Sequence, residues 1–315
     1  MSFDVITMGR VGVDLYPEQI GVPLAEVRTF AKSLGGTATN VAVAAARLGA
    51  DAAVITKVGD DPFGPYVRRA LEGFGVDTRY VSTHPSLRTP VVFCEIFPPD
   101  EFPLLFYREP KAPDMEIATA DLDLDAIRAA RIFWVTGTGL SDEPSRSATL
   151  AALEARGRSG ITVIDLDYRP MFWASRGQAR AAIQEALPYV TVAVGNQDEC
   201  ETAVGLREPD EAANALLRLG MDLAVVKQGP KGVLAVDRER SVEVRPVPVE
   251  VVNGLGAGDA FGGALCHGLL RGWDVERMMR FCNAAGALVA SRLACADAMP
   301  SEDEVDALLG EAVDA

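Results

Sequence analysis

The sequence predicts an α/β protein with a mostly parallel central sheet covered by helices on both faces. Short apolar runs of strand length alternate along the chain with segments whose apolar residues recur at helical spacing. Strands that are connected through helices lie parallel, and both faces of the resulting sheet are buried. We therefore expect a three-layer α/β/α sandwich.

The chain begins with a strand–helix–strand–helix series. Phe3–Met8 is short and apolar, which predicts a strand. Thr39–Leu48 is predicted as a helix, because apolar residues stand at 41, 44, 45 and 48 behind a threonine that can cap the first turn. The strand Ala52–Lys57 and the helix Phe63–Phe74 complete the series.

The rest of the chain continues the same alternation. Further short apolar runs predict strands at Arg131–Val135, Ile161–Leu166, Val190–Val194 and Leu223–Lys227. Helical periodicity predicts helices near 144–157, 176–187, 209–219, 258–271, 274–292 and 301–312. These strands and helices supply the remainder of the three layers.

Two stretches, residues 10–34 and 85–113, interrupt this alternation. Both contain strand-like pieces without helical partners, and the second is rich in proline. Within it, Val91–Phe97 and Leu104–Tyr107 have the composition of strands. We expect these β insertions to form a small sheet that stands off the main sheet as a lid.

Composition restricts the partners and the compartment. A net charge of −15 and a pI near 4.6 argue against nucleic acid and anionic membranes as partners. Five widely spaced cysteines and two histidines do not suggest a zinc site. No signal-peptide pattern and no run of about 18 apolar residues occurs. We expect a cytoplasmic protein with buried free thiols.

The most informative segment is the glycine-rich stretch from Val251 to Gly263. Its glycines surround one acid, Asp259, and an apolar helical pattern follows at once. Glycines before a helix allow backbone N–H groups to point at an anion. A carboxylate repels an anion, so its expected task there is to take a proton. The segment predicts phosphoryl transfer to a hydroxyl, although its glycines could also serve only to pack the helix closely.

Polar residues recur at the ends of the predicted strands, where open parallel sheets bind ligands. They are Asp14, Gly35 to Asn40, Asp165, Asp167, Arg169, Asn196, Glu199, Lys227 and Gly229. Structural alternatives exist for each kind: a tight turn for the paired glycines, caps or loop acids for the aspartates, and a surface position for the lysine. Asn196 and Glu199 also have the spacing of a capping box.

The order of these residues resembles the ribokinase-like (PfkB) family of sugar kinases over nearly the whole chain. The paired glycines ending in Asn40 resemble its N-terminal signature, Asn196 to Glu199 its N-x-x-E motif, and Gly256 to Asp259 its C-terminal G-A-G-D signature. The resemblance implies one ribokinase-like domain over residues 1–315, with the lid contributed by residues 10–34 and 85–113. Segments such as DLDYRPMFW and VKQGPKG are most similar to the members that phosphorylate keto-deoxy sugar acids.

The resemblance also implies a role for each matching residue. Asp259 would deprotonate the sugar hydroxyl, with backbone N–H groups of Gly256, Ala257 and Gly258 stabilising the transferring phosphoryl group. Residues implied to bind sugar hydroxyls are Asp14, Gly36 and Asn40. Residues implied to bind ATP are Asn196, Glu199, Lys227, Gly229 and Asn283, with Glu199 also holding Mg²⁺ through water.

Arginines near the proposed cleft favour an acidic sugar. A carboxylate needs a cation, preferably the planar fork of arginine. Tyr107, Arg108 and Arg169 resemble positions that bind the carboxylate in keto-deoxy sugar acid kinases, and Arg10 is a third cationic candidate. The alternative is a pair of ordinary surface ion pairs, Arg108 with Glu109 and Arg169 with Asp167.

The chain departs from the family pattern just before G-A-G-D. Many members have Asp-Thr-Thr there, which helps to form a monovalent cation site, whereas this chain has Asn253-Gly254-Leu255. This chain therefore lacks a charge and a hydroxyl that help to bind the cation in those members. Whether it requires a monovalent cation is left open by the sequence.

The expected reaction is the ATP- and Mg²⁺-dependent phosphorylation of the C6 hydroxyl of 5-dehydro-2-deoxy-D-gluconate in myo-inositol catabolism. The alternatives are 2-keto-3-deoxygluconate or another sugar as the substrate, and a regulator that binds nucleotide or sugar without turnover. Family analogy further implies a homodimer formed through the lid.

Overall fold

The computed structural model describes the backbone of residues 2–314 and the side chains of residues 2–310. The strands in this part of the chain are β1 (Val5–Met8), β2 (Gly12–Pro17), β3 (Phe30–Gly35), β4 (Ala52–Gly59), β5 (Val76–Asp77), β6 (Val81–His84), β7 (Val91–Cys94), β8 (Leu104–Tyr107), β9 (Ile132–Thr136), β10 (Ile161–Asp165), β11 (Val192–Asn196), β12 (Leu223–Lys227), β13 (Val233–Asp237) and β14 (Ser241–Val244). The α-helices are α1 (Thr37–Arg47), α2 (Phe63–Gly73), α3 (Leu124–Ala129), α4 (Ser145–Arg156), α5 (Arg176–Ala186), α6 (Gln197–Val204), α7 (Pro209–Arg218), α8 (Ala257–Arg271), α9 (Val275–Ala290) and α10 (Glu302–Asp314).

The large sheet has the strand order β14-β13-β12-β11-β10-β9-β1-β4-β5, with β6 also paired to β4. All pairs from β12 to β5 and β6 are parallel, whereas β13 and β14 form an antiparallel edge. Side chains of β9 alternate between two apolar cores, with Trp134 on one side and Phe133 on the other. The first core contains α1, α2, α8, α9 and α10, and the second contains α3 to α7. The predicted three-layer α/β/α sandwich is confirmed.

The two predicted β insertions meet in a separate four-stranded sheet of order β3-β2-β7-β8, called the small sheet below. Its β2–β7 pair is parallel and its other two pairs are antiparallel. Because side chains alternate along strands, Asp14, Tyr16 and Phe106 lie on one face, whereas Phe93 and Tyr107 lie on the other. The first face covers the carboxyl ends of the large-sheet strands, and the second is partly exposed.

Several element boundaries differ from those predicted. Helix α1 begins at Thr37 rather than Thr39, because Gly36, not a threonine, occupies its N-cap position. The hydroxyl of Thr39 instead donates to the carbonyl of Arg10, 3.0 Å away. The short strands β5, β6 and β14 were not predicted, since their partly exposed sequences lack a continuous apolar run. Strand β13 was also missed, although its first four residues are apolar and buried.

The buried free thiols expected from the composition are observed. All five cysteines are free and buried. Within residues 2–314, every helix is too short or too polar to cross a lipid bilayer.

Candidate active site

The glycine-rich segment forms a tight turn at the start of α8. Gly256 occupies the N-cap with φ of 81°, and a Cβ there would lie 2.5 Å from Cys295 Sγ, so the turn requires glycine. The first helical hydrogen bond runs from the N–H of Ala260 to the carbonyl of Gly256. The N–H groups of Ala257, Gly258 and Asp259 therefore have no acceptor within the helix, and this turn can receive an anion.

Asp259 lies in this turn, where one of its carboxylate oxygens accepts a hydrogen bond and the other accepts none from the described residues. Asn40 Nδ2, in α1, donates to Asp259 Oδ2 at 2.7 Å. Asp259 Oδ1 accepts no hydrogen bond from the described residues. Burial raises the pKa of Asp259 to about 6, against the opposing effect of the Asn40 hydrogen bond. A carboxylate with that pKa is ionised at neutral pH and is basic enough to share a proton.

A cavity, called the polar cavity below, opens between the turn and the small sheet. Its charged and hydrogen-bonding lining residues are Arg10, Asp14, Tyr16, Thr37, Asn40 and Arg169. The small sheet contributes Val92, Leu104 and Phe106. Asn40 is 2% exposed, and its Oδ1 is buried without a hydrogen-bond partner. The cavity thus offers an unused acceptor next to Asp259.

Asp14 faces the same cavity from β2. Burial raises its pKa to about 7, although the Tyr16 hydroxyl, 3.1 Å from Asp14 Oδ2, favours the ionised form. Gly36 allows this close assembly, since it has φ of 99° and a Cβ there would lie 2.4 Å from the carbonyl oxygen of Arg10. The paired glycines therefore do more than make a turn: they bring α1 against the strand ends that carry Arg10 and Asp14.

The predicted arginines occupy different places. Arg169 lines the polar cavity, with its Nε 3.2 Å from Oδ1 of the buried Asp167. Arg108 instead forms a salt bridge with Asp114, which is fully buried. The ion pair predicted for Arg169 is therefore present, but Asp167 is not a surface residue, and the partner of Arg108 is Asp114 rather than Glu109.

Tyr107 and Arg108 do not line the polar cavity in this conformation. Tyr107 is 62% exposed and packs edge-on against Phe93 on the outer face of the small sheet. Arg108 lines a different cavity, bordered by Phe106 and Phe172. Its guanidinium lies over the Phe172 ring, as does that of Arg10. The structure thus brings together the predicted sugar-binding residues Asp14, Gly36, Asn40 and Arg169, but not the Tyr107–Arg108 pair.

A second cavity, called the apolar cavity below, lies on the other side of the turn and has a volume of about 510 Å³. Its walls are mostly apolar, from Val247, Val249, Val251, Phe261, Ala287 and Ala290. Lys227, Gly229 and Asn283, all predicted from the sequence, lie along it together with Ala257 and Gly258. Asn283 Nδ2 donates to the carbonyl of Arg245 at 2.9 Å, which fixes the amide at the cavity wall.

Lys227 reaches from the end of β12 to the turn. Its Nζ would lie 3.4 Å from a Cβ on Gly258. Burial alone would lower its pKa, but the carboxylates of Asp165, Glu199 and Asp259 outweigh burial and raise it. No carboxylate oxygen of the described residues lies within salt-bridge distance of Nζ, so the charged amine remains free for a ligand.

Asn196 and Glu199 form the capping box that their spacing predicts. Asn196 Oδ1 accepts from the N–H of Glu199 at 2.9 Å, and Glu199 Oε2 accepts from the N–H of Asn196 at 2.7 Å. Neither residue lines the two cavities. Glu199 is nevertheless buried, and its charge influences the pKa of Asp165 and of Lys227. The capping role is therefore observed, whereas a role toward phosphates or metal remains a prediction.

Similarity to known proteins shows which family the chain belongs to. Residues 2–302 match the pfkB family carbohydrate kinase pattern. The chain belongs to this family of carbohydrate kinases. A 5-dehydro-2-deoxygluconokinase of Clostridium tetani (strain Massachusetts / E88) is 33% identical to it over 98% of this chain and 93% of that protein. The predicted family and enzyme class are confirmed.

Two solved structures are similar to this PfkB kinase along nearly its whole length. A sugar kinase of Pyrococcus horikoshii in complex with ATP has a TM-score of 0.78 at 27% identity, covering 96% of this chain and 99% of that one. A chain provisionally named ribokinase II from E. coli, in complex with ATP and Mg²⁺, has a TM-score of 0.89 at 23% identity, covering 99% and 100%. At that identity the second likeness shows the fold alone.

Sequence reasoning missed several residues of this PfkB site. Tyr16 and Cys295 meet at Asp14, with the Tyr16 hydroxyl 2.7 Å from Cys295 Sγ. Nothing in the sequence relates these positions, which are 279 residues apart. Thr138 also joins the polar network and could have been found, because it follows β9 and strand-end polar residues were already candidates.

Proposed function

We propose that this protein is an ATP-dependent kinase that phosphorylates the C6 hydroxyl of 5-dehydro-2-deoxy-D-gluconate in myo-inositol catabolism. The observation that carries the proposal is the position of Asp259, in the one turn shared by the polar cavity and the apolar cavity. A base at such a junction can activate a hydroxyl held on one side toward a phosphate held on the other. The named activity of the C. tetani relative supplies the substrate.

The polar cavity is suited to a hydroxylated acid. Asp14 and the buried Oδ1 of Asn40 accept hydrogen bonds from hydroxyls, and the backbone at Gly36 approaches closely because it has no side chain. Arg10 and Arg169 add positive charge. Binding the sugar there orders the hydroxyl next to Asp259, and such positioning is a major part of catalysis of phosphoryl transfer.

Asp259 and the turn then act together. Asp259 Oδ1 takes the proton of the C6 hydroxyl, a contribution of roughly 10²–10⁴ in rate. The N–H groups of Ala257, Gly258 and Asp259 donate to the oxygens of the transferring phosphoryl group, and one such donor contributes about 10²–10³. Lys227 lies beside the same turn and balances the charge of the phosphates.

The apolar cavity is suited to the nucleotide. Its aliphatic walls can hold a base, Asn283 and Gly229 lie along it, and its inner end reaches Lys227 and Gly258. The P. horikoshii sugar kinase, which binds ATP, supports the same use of this fold.

The donor set near Lys227 fits Mg²⁺. Asp165 Oδ2 and Glu199 Oε1 accept no hydrogen bond from the described residues, and Mg²⁺ prefers such carboxylate oxygens. Within residues 2–310, no cage of three or more metal-ligating side chains is formed. Both acids would therefore hold the ion largely through water and substrate phosphates. When bound, Mg²⁺ supplies charge neutralisation on those phosphates.

We further infer that residues 1–315 form one kinase domain and that the small sheet acts as its lid. Closure over the polar cavity would exclude water and limit ATP hydrolysis. Phe30, Phe93, Leu105 and Tyr107 form a partly exposed apolar outer face on this sheet, with Leu105 49% exposed. Such a face supports a homodimer through the lid. A cytoplasmic location is proposed from the free thiols.

Coupled ADP release tests the proposed reaction. Purified protein is given ATP, Mg²⁺ and, one at a time, 5-dehydro-2-deoxygluconate, 2-keto-3-deoxygluconate, ribose and fructose, and the phosphorylated position is read by NMR. We expect the highest kcat/KM for the first acid and phosphate on C6. A preference for 2-keto-3-deoxygluconate would replace the substrate, and a preference for a neutral sugar would refute an acid-sugar kinase. Tight nucleotide binding without ADP formation would indicate a regulator.

A further inference from the structure

Arg10 is the most completely fixed cation of the polar cavity. It is 5% exposed, and three of its N–H groups have buried partners: Nε donates to Thr138 at 3.0 Å, and Nη2 donates to Thr37 and Asp167 at 2.7 Å each. Its Nη1 donates to none of the described residues, although Arg10 lines the cavity. A buried arginine whose remaining N–H pair faces a cavity is prepared to bind an acceptor there.

The charge around Arg10 is not balanced within its network. Asp167 is 2% exposed and lies between two guanidinium groups, 2.7 Å from Arg10 Nη2 and 3.2 Å from Arg169 Nε. Burial opposes ionisation of Asp167, but Arg10 and Arg169 hold its pKa well below the ordinary value. Two cations therefore share one anion, and this side of the cavity carries a surplus of one positive charge.

The charges that face the cavity are separated, with the two arginines on one side and two further acids on the other. Asp14 and Asp259 are the acids on its opposite side, and burial raises the pKa of both. Asp259 also faces the turn where the hydroxyl reacts, so the acidic end of a ligand is repelled from it. The electrostatic arrangement orients an acidic sugar with its carboxylate toward Arg10 and Arg169.

Arg108 is placed quite differently. Its guanidinium is bound to Asp114, which is fully buried and also accepts from the N–H of Val11 at 3.0 Å. These contacts tie the end of β8 to the segment that leads into β2. Arg108 therefore has its charge matched by a carboxylate and lines a different cavity.

We propose that Arg10 is the specificity-determining residue of the polar cavity, binding the sugar carboxylate through Nη1 together with Arg169, and that Arg108 is a positioning residue of the small sheet. This inference rests on the proposed function, because it assigns the residue that recognises the acid of that substrate. It differs from the sequence expectation, in which Arg108 and Arg169 bind the carboxylate and Arg10 is a third candidate, because Arg10 takes the place of Arg108.

The test compares Arg10→Gln, Arg108→Gln and Arg218→Gln, the last an exposed arginine on α7 that serves as a matched control. For each variant, kcat/KM is measured with the best sugar acid and with fructose, and the affinity for the acid is measured by calorimetry without nucleotide. We expect Arg10→Gln to lower the acid-to-fructose ratio by about 10²-fold, mainly through weaker acid binding, because a charge-assisted contact is lost. Arg108→Gln should lower both activities and leave the ratio within about threefold.

Arg10→Gln leaves Asp167 with one partner fewer and could fail to fold. The double variant Arg10→Gln/Asp167→Asn removes the unpaired charge, and it should show the same loss of acid selectivity. Equal losses for acid and fructose in the Arg10 variants, or a loss of selectivity confined to Arg108→Gln, would overturn the inference while leaving the proposed function intact. A wild-type protein that prefers fructose to every acid would overturn both.

Discussion

The polar cavity and the apolar cavity differ in how they are built, although they share one turn. Side chains of the polar cavity are charged and linked by hydrogen bonds, with Arg10 and Asp14 buried and Asp259 half-buried. The apolar cavity is wider, and its walls are mostly apolar, with Lys227, Asn283 and Asp100 as the polar side chains. The first can distinguish ligands by charge and hydrogen bonding, whereas the second selects mainly by shape.

This difference has an energetic consequence. Buried carboxylates with raised pKa values reduce the stability of the folded protein, whereas aliphatic walls do not. The protein thus concentrates its destabilising groups on the side where the proton is removed. Changes in the polar cavity should alter chemistry and pH dependence, and changes in the apolar cavity should alter nucleotide affinity.

The largest expected effect comes from removing the base. Asp259→Asn should lower kcat by roughly 10³-fold, because the amide cannot take the proton of the sugar hydroxyl. Nucleotide affinity, measured by calorimetry, should change by less than about threefold, since the apolar cavity is unaltered. A parallel loss of nucleotide affinity would show that the two cavities are not separable.

Stability provides the control for the same variant. Because the folded pKa of Asp259 is raised to about 6, the folded state binds its proton more tightly than the unfolded chain does. The ionised carboxylate therefore costs stability as pH rises from about 4 to 6, and the cost is constant above that range. The Tm advantage of Asp259→Asn should grow across this interval; an equal advantage at every pH would contradict the raised pKa.

Replacement of Lys227 tests whether its charge contributes to catalysis at the turn shared by the two cavities. Lys227→Met should lower kcat by about 10²-fold, because the acids around the phosphates then lose their balancing charge. Lys231→Met, in the next turn of the chain and exposed, should have little effect. If the two variants behaved alike in steady-state kinetics, the amine of Lys227 would have no special role.

Sugar phosphorylation and nucleotide binding should depend differently on pH, because the titrating carboxylates line only the polar cavity. With pKa values of about 7 for Asp14 and about 6 for Asp259, and both carboxylates needed in the ionised form, kcat/KM for the sugar acid should fall below neutral pH. The fall should be about tenfold per unit between these two pKa values and approach about a hundredfold per unit below them. Binding of adenosine, which lacks phosphate, should be nearly constant over the same range. An activity profile that is flat to about pH 5 would mean that neither carboxylate limits the reaction.

Many residues of the two cavities could be predicted from the sequence, because the motifs that contain them are short and local. The turn at Gly256 to Asp259 and the strand-end position of Lys227 follow from patterns within a few residues of each. Asp14 was predicted at a strand end but lies within β2 of the small sheet. The partner of Arg108 could not be predicted, because Glu109 is its neighbour in sequence whereas Asp114 becomes its neighbour only when the segment after β8 folds back.

The charged network behind the polar cavity was also beyond sequence reasoning. Arg10 and Asp167 are 157 residues apart and meet because β1 and β10 both pair with β9 in the same parallel sheet. The fold class was predictable from periodicity, yet which strand ends face one another depends on strand order. Strand order is a property of the whole sheet, and no local pattern encodes it.

The smallest expected effect concerns the segment just before the turn. Asn253 is fully buried, and its Nδ2 donates to the carbonyl of Leu293 at 2.6 Å while its Oδ1 accepts from the N–H of Leu255 at 3.0 Å. An amide thus connects two loops directly, and the carbonyl oxygen that could face a cation already has a donor. We expect replacement of sodium by potassium to change kcat by less than about twofold.

The variant Asn253→Asp tests whether the amide of Asn253 is the reason for this weak dependence on potassium. The carboxylate would face the carbonyl of Leu293 without a donor between them, and a bound cation would relieve the repulsion. The variant should therefore be less active than wild type in a bulky organic cation and should regain activity when potassium is added, in the same coupled assay. Strong potassium activation of the wild-type protein would show instead that the amide does not replace the ion, and that the turn depends on a cation despite its altered sequence.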